Sequence, residues 1–470
     1  MQAASKGPVL LVYPPYFRLI GEQRVWYPLG LGYLSSYLKA GGVSTVVYNA
    51  DAETRLEEKV IPYREKFYES EKIVTNAHSD SNPIWNELKD VLKCTNPKII
   101  GISILTETMP LIGKITSLCK EFSQTVPVIL GGPHTTVDIQ SLSHVDNWDY
   151  AVVGEAETSF LRLVNQISAG KSPSTDIGGF VRKEGSKLTM SEDFAVYAGR
   201  LDFLPFPEIC DMFDFNSQVR KKMKKAMIST SRGCLFRCTF CYMNIYRRKT
   251  RFRTAKNVFD EIKLNMDKYG ISKFYFNDDS FGVNRKFLKD FSAIIKKEEI
   301  EIRWSCMTHE KIINSENLRL MKQAGCDSIH IGIESGSDRI LSLLGKKTTV
   351  DRIIRKCKLI TDFGIKVKAF FMFGIPSERE EDLTKSISLV ERIKPYEAIL
   401  QVYVPYPKTE LWNYITQKYG DPTEFYHWES FYKSKINYAM FPEISPQTFD
   451  NLVEEFFSVV ENINKTNRVY

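Results

Sequence analysis

At 470 residues the chain is long enough for two or three cores, and with 43% apolar residues it has the material to fill them. Its net charge of +7 comes from 64 Lys and Arg interspersed with 57 Asp and Glu, too mild a bias to imply a nucleic-acid partner. No run reaches the ~18 apolar residues that a membrane span needs, and the start is too soon broken by proline to be a signal peptide, so the expectation is a cytoplasmic chain with its cysteines reduced.

Residues 9–14, VLLVYP, form an apolar run ending in proline, the pattern of a buried parallel strand closing into a loop. Leu31, Leu34 and Leu38 then recur at helical spacing, and Gly41 with Gly42 ends that helix. After a second strand, STVVYNAD, the polar stretch from Glu53 to Pro97 reads as an insertion carrying one or two helices. Strand and helix alternate again at 98–105, from about Pro110 to Phe122, at 126–132, at 150–155 and over Thr158–Ser168. This predicts a doubly wound parallel sheet with ligands beyond the carboxyl ends of its strands. The segments there are TETM (106–109), GGPHTT (131–136) and GEAE (154–157), where glycine allows close backbone approach and helix starts offer free N–H groups.

Residues 176–190 read as a hairpin turning at Glu184 and Gly185, and residues 201–219 as an extended linker ending in the solvated basic run Arg220–Lys225. From Ala226 six strand-and-helix units follow, with strands at 226–231, 273–277, 302–306, 328–334, 366–374 and 399–405. Thr254 caps a helix over Ala255–Tyr269 whose apolar face is Val258, Ile262, Met266 and Tyr269. Six such units predict a partial parallel barrel with its chemistry at the strands' carboxyl ends. The expected domains are therefore 1–175, a hairpin and linker at 176–223, 224–412, and a C-terminal extension at 413–470. In that extension a helix is expected over 447–463, and Tyr426, Trp428, Phe431 and Tyr432 either cap the barrel or fill core.

The stretch SRGCLFRCTFCY, 231–242, places Cys234, Cys238 and Cys241 at the spacing Cys-x3-Cys-x2-Cys. Three soft ligands on one tight loop can hold three irons of a [4Fe–4S] cluster and leave the fourth open to another ligand. Zinc usually takes four ligands, and no His or further Cys lies near in sequence to complete such a set. The other six cysteines are scattered singly and read as core.

This segment, with Phe240 before the third cysteine, resembles the signature of the radical S-adenosylmethionine (radical SAM) enzymes, and the six-unit barrel agrees with their fold. The pattern YPLGLGYLSSYLKAGG, ILGGPHTT, VVGEAETSF looks like the cobalamin-binding domain that precedes the radical SAM core in one large subgroup, and covers roughly residues 8–170. The resemblance implies a [4Fe–4S] cluster, S-adenosylmethionine and cobalamin as cofactors. It places S-adenosylmethionine around Phe240, Tyr242, Asp278, Asp279, Glu334, Ser335, Gly374 and Pro376. Adjacent carboxylates in NDDSF suit an ammonium ligand, with an Asx-turn as the plainer alternative to that role. Cobalamin is placed around Leu29, Gly30, Thr106, Glu107, Gly131, Gly132, Pro133, His134, Gly154 and Glu155. The motif Asp-x-His-x-x-Gly, whose His ligates cobalt in other cobalamin proteins, is absent, as it commonly is in this subgroup, and His134 reads more simply as a loop hydrogen-bonder.

Two departures from the subgroup stand out. Lys408 replaces the glycine of a Pro-x-Pro-Gly-Thr loop, and the third strand ends in SCMTHE, leaving Cys306, Thr308, His309 and Tyr406 as substrate-pocket candidates. No acid or base is assigned from sequence. The function implied is a cobalamin-dependent radical SAM methyltransferase acting on an unactivated carbon through a 5′-deoxyadenosyl radical. A cyclase, rearrangement or carbon–carbon coupling enzyme, and a non-catalytic iron–sulfur or corrinoid sensor, are the alternatives. The partners expected are a small-molecule, lipid or peptide substrate and an electron donor such as flavodoxin or ferredoxin, with no nucleic acid and no membrane span.

Overall fold

The computed structural model describes residues 7–69, 72–185, 187–195, 197, 199–246, 249–422 and 443–467. The chain divides into two compact units, Met1–Met223 and Lys224–Tyr470.

The first unit is built on one sheet of seven strands: β1 (Val9–Tyr13), β2 (Thr45–Asn49), β3 (Ile99–Ser103), β4 (Val128–Gly131), β5 (Tyr150–Val152), β6 (Phe180–Glu184) and β7 (Lys187–Met190). Their order is β2-β1-β3-β4-β5-β6-β7. The first five are parallel, and Val9 to Val12 of the central β1 are fully buried because helices cover both faces. The order reverses at β1, the switch point at which open sheets of this type bind ligands.

Three expectations change here. The stretch after Glu53 carries three helices, and the third, Pro83–Thr95, is the regular crossover to β3, burying Ile84, Trp85, Leu88, Val91 and Leu92. Its charged outer face conceals that stripe from a composition-based reading. The hairpin at 180–190 is no free connector, since β6 pairs antiparallel with β5 and extends the sheet. Residues 201–213 are not extended but fold as two short 3-10 turns against the first sheet, where the Phe213 N–H donates to the Val47 carbonyl at 2.7 Å. Buried Asp211 fixes them there, accepting from Ser35 at 2.7 Å and pairing with Lys39.

In the second unit six parallel strands run in sequence order, β8 (Ala226–Ile228), β11 (Lys273–Phe276), β12 (Arg303–Thr308), β13 (Cys326–Glu334), β14 (Lys366–Phe373) and β15 (Glu397–Val402). Two-residue strands β9 (Ser231–Arg232) and β10 (Arg251–Phe252) form a small ribbon between β8 and β11. Winding in one direction without reversal curls such a sheet into a partial barrel, and β8 and β15 remain its two edges. The curvature is visible across β12: the rings of Tyr275 on β11 and His330 on β13 approach to 5.3 Å over the small side chain of Ser305. On the convex face Phe276, Phe281, Phe291 and Trp304 stack against one another, and Phe371 and Phe373 receive Phe456 from the C-terminal helix Pro446–Asn467.

The expected cap on the helix Ala255–Tyr269 is present, with Thr254 Oγ1 accepting from the Asn257 N–H, although Met266 is only half-buried. The aromatic segment with Tyr426, Trp428, Phe431 and Tyr432 lies outside the described residues. Among the described residues no helix is long and apolar enough to cross a membrane.

Candidate active site

The cysteine loop leaves β8 at the carboxyl edge of the barrel, and Asp278, just past the end of β11, organises its start. One carboxylate oxygen accepts the N–H groups of Thr230 (2.6 Å) and Ser231 (3.2 Å), and the other accepts both hydroxyls. Burial pushes this carboxyl up to about 6, against the pull of those donors, so it is ionised at neutral pH. With four donors already satisfied, Asp278 is not free to receive an ammonium group, and the expected pair of ligands reduces to its neighbour. Asp279 is half-exposed and accepts the Gly233 N–H at 2.9 Å. Gly233 has φ +98°, and a Cβ there would lie 2.7 Å from the Lys249 carbonyl, so the turn into the cysteines requires glycine. Arg253 in the basic run after the loop is also structural: it is buried, pairs with Glu261 and donates to the Ser229 carbonyl at 2.8 Å.

The thiols of Cys234, Cys238 and Cys241 are free, half-buried and close enough to influence one another electrostatically. Burial pushes Cys238 up to about 11 and Cys241 to about 12, so thiolates form at neutral pH only when metal charge replaces the protons. Among the described residues no three His, Cys, Asp or Glu side chains converge on a single ion.

The loop is tied down by Thr239, whose N–H donates to the Leu344 carbonyl (3.0 Å) and whose hydroxyl donates to Leu343 (2.8 Å). Phe240 packs into the apolar cluster of Ile340, Leu344, Met372, Ile375 and Leu411. Tyr242 meets Tyr406 at 5.5 Å between ring centroids. Phe236 stacks on His309 at 3.8 Å, so His309 buttresses the loop.

Strand β13 reaches the same rim. Its register slips between Gly332 and Glu334, a bulge that re-aims the last side chain, and Glu334 sits at φ +69°, unusual for a residue with a Cβ. Facing it is Lys346, which sequence reasoning passed over. Its ammonium donates to the Gly332 carbonyl (2.7 Å), stands 3.5 Å from Glu334, and lies within electrostatic reach of Cys238. Burial raises Glu334 and the neighbouring ammonium opposes that shift. Only the hydrophobic Leu343-Leu344 turn before Lys346 hinted that this lysine points inward.

Ser335, expected at a ligand, is fully buried with its hydroxyl 3.4 Å from Ser386, so it packs the adjacent helix Glu380–Ile393 instead. At the end of β14, Gly374 (φ +78°) and Ile375 donate their N–H groups to buried Glu378 at 2.7 and 3.1 Å, which shapes the loop through Pro376. Two substrate-pocket candidates are also relocated. Cys306 is fully buried on the Trp304 face of β12, and Thr308 donates to the Phe281 carbonyl at 2.6 Å, because both side chains point away from the barrel interior.

In the first unit the loops after β3, β4 and β5 lie side by side. His134 joins the first two, with Nδ1 3.2 Å from Thr106 and Nε2 2.9 Å from Ser141, burial lowers it to about 4, and Thr136 accepts the Gly154 N–H of the third at 3.1 Å. His134 is fully enclosed. Gly132 and Gly154 serve close backbone packing, since a Cβ would come within 2.7 Å of the Ile104 amide and 2.2 Å of the Ala195 carbonyl. Glu155 accepts the Tyr197 N–H at 3.2 Å. What remains open is a crest of Gly30, Glu107, Gly131 and Pro133, beside buried Leu29, where a Cβ on either glycine meets nothing closer than 3.8 Å. An open glycine crest leaves room for the close approach of a flat macrocycle.

The family model of the radical SAM superfamily matches residues 228–390, and that of the B12-binding domain matches residues 73–164. An uncharacterized methyltransferase of Pyrococcus horikoshii is 28% identical over 412 residues, 86% of this chain and 82% of its own. The anaerobic magnesium-protoporphyrin IX monomethyl ester cyclase of Rubrivivax gelatinosus is 25% identical over 94% of this chain and 74% of its own. Among solved structures, the radical S-adenosylmethionine methyltransferase TsrM of Kitasatospora setae shares the fold with a TM-score of 0.71 at 16% identity, over 97% of this chain and 89% of that one. The two domains together make a [4Fe–4S] cluster, S-adenosylmethionine and cobalamin the cofactors. The chain thus belongs to the radical SAM superfamily, as an enzyme of the cobalamin-dependent group with a B12-binding domain ahead of the radical SAM core.

Proposed function

We propose that this enzyme transfers a methyl group to an unactivated carbon of a small-molecule, lipid or peptide substrate. The observation that supports this most is the pairing of a B12-binding unit with a radical SAM unit along the length of a methyltransferase relative. When bound, the reduced cluster supplies the electron that cleaves S-adenosylmethionine, and the corrin supplies the methyl group.

The chain's own residues hold and orient these groups. Cys234, Cys238 and Cys241 would ligate the cluster, with Asp278 fixing the loop and Phe236 on His309 bracing it. Asp279 and Glu334 would receive the ammonium and ribose hydroxyls of S-adenosylmethionine, and Lys346 its carboxylate, each a charge-assisted contact. Phe240, Tyr242, Tyr406 and the Gly374–Pro376 loop would form the apolar wall for adenine. On the first unit, Leu29, Gly30, Thr106, Glu107, Gly131 and Pro133 would border the corrin. A flavodoxin or ferredoxin in a reducing cytoplasm is the electron source we expect, and the reaction needs no nucleic acid.

Glu334→Gln keeps the side-chain volume and removes the charge. Loss of one charge-assisted contact of about 1.5–3 kcal/mol predicts S-adenosylmethionine affinity about ten- to a hundredfold weaker, with unchanged cluster absorbance. Wild-type affinity in this variant would remove Glu334 from the site.

A second reading rests on the cyclase relative, whose match extends over 94% of this chain. Anaerobic incubation of the reconstituted enzyme with a cell extract and methyl-deuterated S-adenosylmethionine separates the two. Methyl transfer predicts 5′-deoxyadenosine and S-adenosylhomocysteine in equal amounts and a deuterated product. 5′-Deoxyadenosine alone, with no label transferred, favours the cyclase.

A further inference from the structure

Deeper in the barrel than the cofactor rim, the concave face carries a group of basic side chains that the site above does not use. Lys225, at the foot of β8 where the barrel opens to solvent, is exposed, donates to Ser305 Oγ at 3.1 Å and lies 4.9 Å above the ring of Tyr275. His330 on β13 is held between Tyr275 (5.3 Å) and Phe370 (5.9 Å). Its Nε2 is buried without a hydrogen-bond partner among the described residues. Lys368, the register partner of His330 on β14, completes the group.

The acidic groups nearby are few. Glu397 on β15 pairs with Lys368 at 2.6 Å, and Asp327 stands 3.9 Å from Lys366 at the foot of β13. Lys225 has no carboxylate in ion-pair range among the described residues; its ammonium, on an exposed residue, contacts a hydroxyl and a ring face and feels Asp327 only at longer range. Partial burial and the Lys368 charge push Lys225 down to about 8, against the pull of Asp327, and burial with both lysines pushes His330 to about 3. A neutral imidazole and an unpaired ammonium around a concave surface form a receptor for an anion. Four residues of strand separate His330 from Glu334, which at ~3.3 Å per residue sets this receptor roughly 13 Å below the cofactor rim.

We infer that Lys225, His330 and Lys368 form the subsite for an anionic group of the substrate, a carboxylate or a phosphorus oxyanion, anchoring one end of the molecule so that its reacting carbon reaches the rim. This rests on the barrel being the substrate chamber of the proposed reaction.

The test is calorimetric titration of the reconstituted full-length enzyme with succinate and with methylphosphonate, the two probes separating a carboxylate from a phosphorus oxyanion. Saturable binding of at least one is expected, about tenfold weaker in Lys225→Gln and recovered in Lys225→Arg. His330→Phe, which keeps the ring packing and removes Nε2, should weaken it severalfold, and Lys221→Gln on the exposed surface should not. Absence of binding by both probes, or equal binding by wild type and Lys225→Gln, overturns the assignment. Binding is read without turnover, so a failure of the methyl-transfer reading leaves this result standing. Conversely, failure here leaves S-adenosylmethionine cleavage untouched.

Discussion

Cys238→Ala is expected to abolish the cluster's visible absorbance and, with it, all detectable cleavage of S-adenosylmethionine. With Cys234, Cys238 and Cys241 as the three proposed ligands, removal of one would leave two irons with exchangeable positions and an assembly that does not survive desalting. The loss should be chemical rather than structural. The backbone around Cys238 is held by its carbonyl, which accepts from Asn244 Nδ2 at 2.8 Å and from the Cys241 N–H at 3.1 Å, and by Thr239. None of these uses the thiol, so circular dichroism and melting temperature of the apo form should match wild type. Cluster absorbance or 5′-deoxyadenosine formation surviving in Cys238→Ala would remove the ligand assignment.

Replacing Asp278 should divide according to what replaces it. Asp278→Ala strands two backbone N–H groups and two hydroxyls at the start of the cysteine loop, a loss of about 3 kcal/mol or more, with failure to assemble the cluster. Asp278→Asn keeps one acceptor oxygen for the two N–H groups and presents an NH2 to two hydroxyls that can rotate to accept. It should therefore retain the cluster with a cost of about 1 kcal/mol, seen as a small fall in the denaturation midpoint. If the carboxylate instead held S-adenosylmethionine, both variants would lose binding while keeping the loop and the iron. Iron content and ligand affinity, measured together, discriminate the two roles.

Asp278 belongs to a pair of residues where sequence legibility was partial. NDDSF placed two carboxylates at the correct strand end, but adjacent residues leaving a strand point to opposite faces, and nothing in the letters says which turns inward. In the structure Asp278 turns to the buried loop and Asp279 stays at the rim. The strands of the barrel, the cysteine loop at its rim and the place of Glu334 at the end of β13 were readable because each is a local pattern in the chain.

Lys346 was not readable, since its role depends on a turn that returns the chain to Glu334 twelve residues later. In Lys346-Lys347 one lysine is buried and the other exposed, although the sequence treats them alike. Ser335 and Cys306 failed for the converse reason: they occupy suggestive positions in the chain but their side chains point to the helix layer. The glycines after β4 and β5 carried a correct signal of close approach, and what approaches at Gly132 and Gly154 is the protein's own backbone.

The central claim is that one chain holds a [4Fe–4S] cluster and a corrin together. It is tested most directly by anaerobic reconstitution with iron, sulfide and hydroxocobalamin, desalting, and measurement of bound iron and corrin by absorbance and metal analysis. The account predicts about four irons and one corrin per chain, with the corrin unaffected by His134→Ala in any fraction that remains folded, because His134 is enclosed and its ring nitrogens lie against Thr106 and Ser141. Iron without corrin would contradict it, leaving the first unit without its cofactor and methyl transfer without its donor.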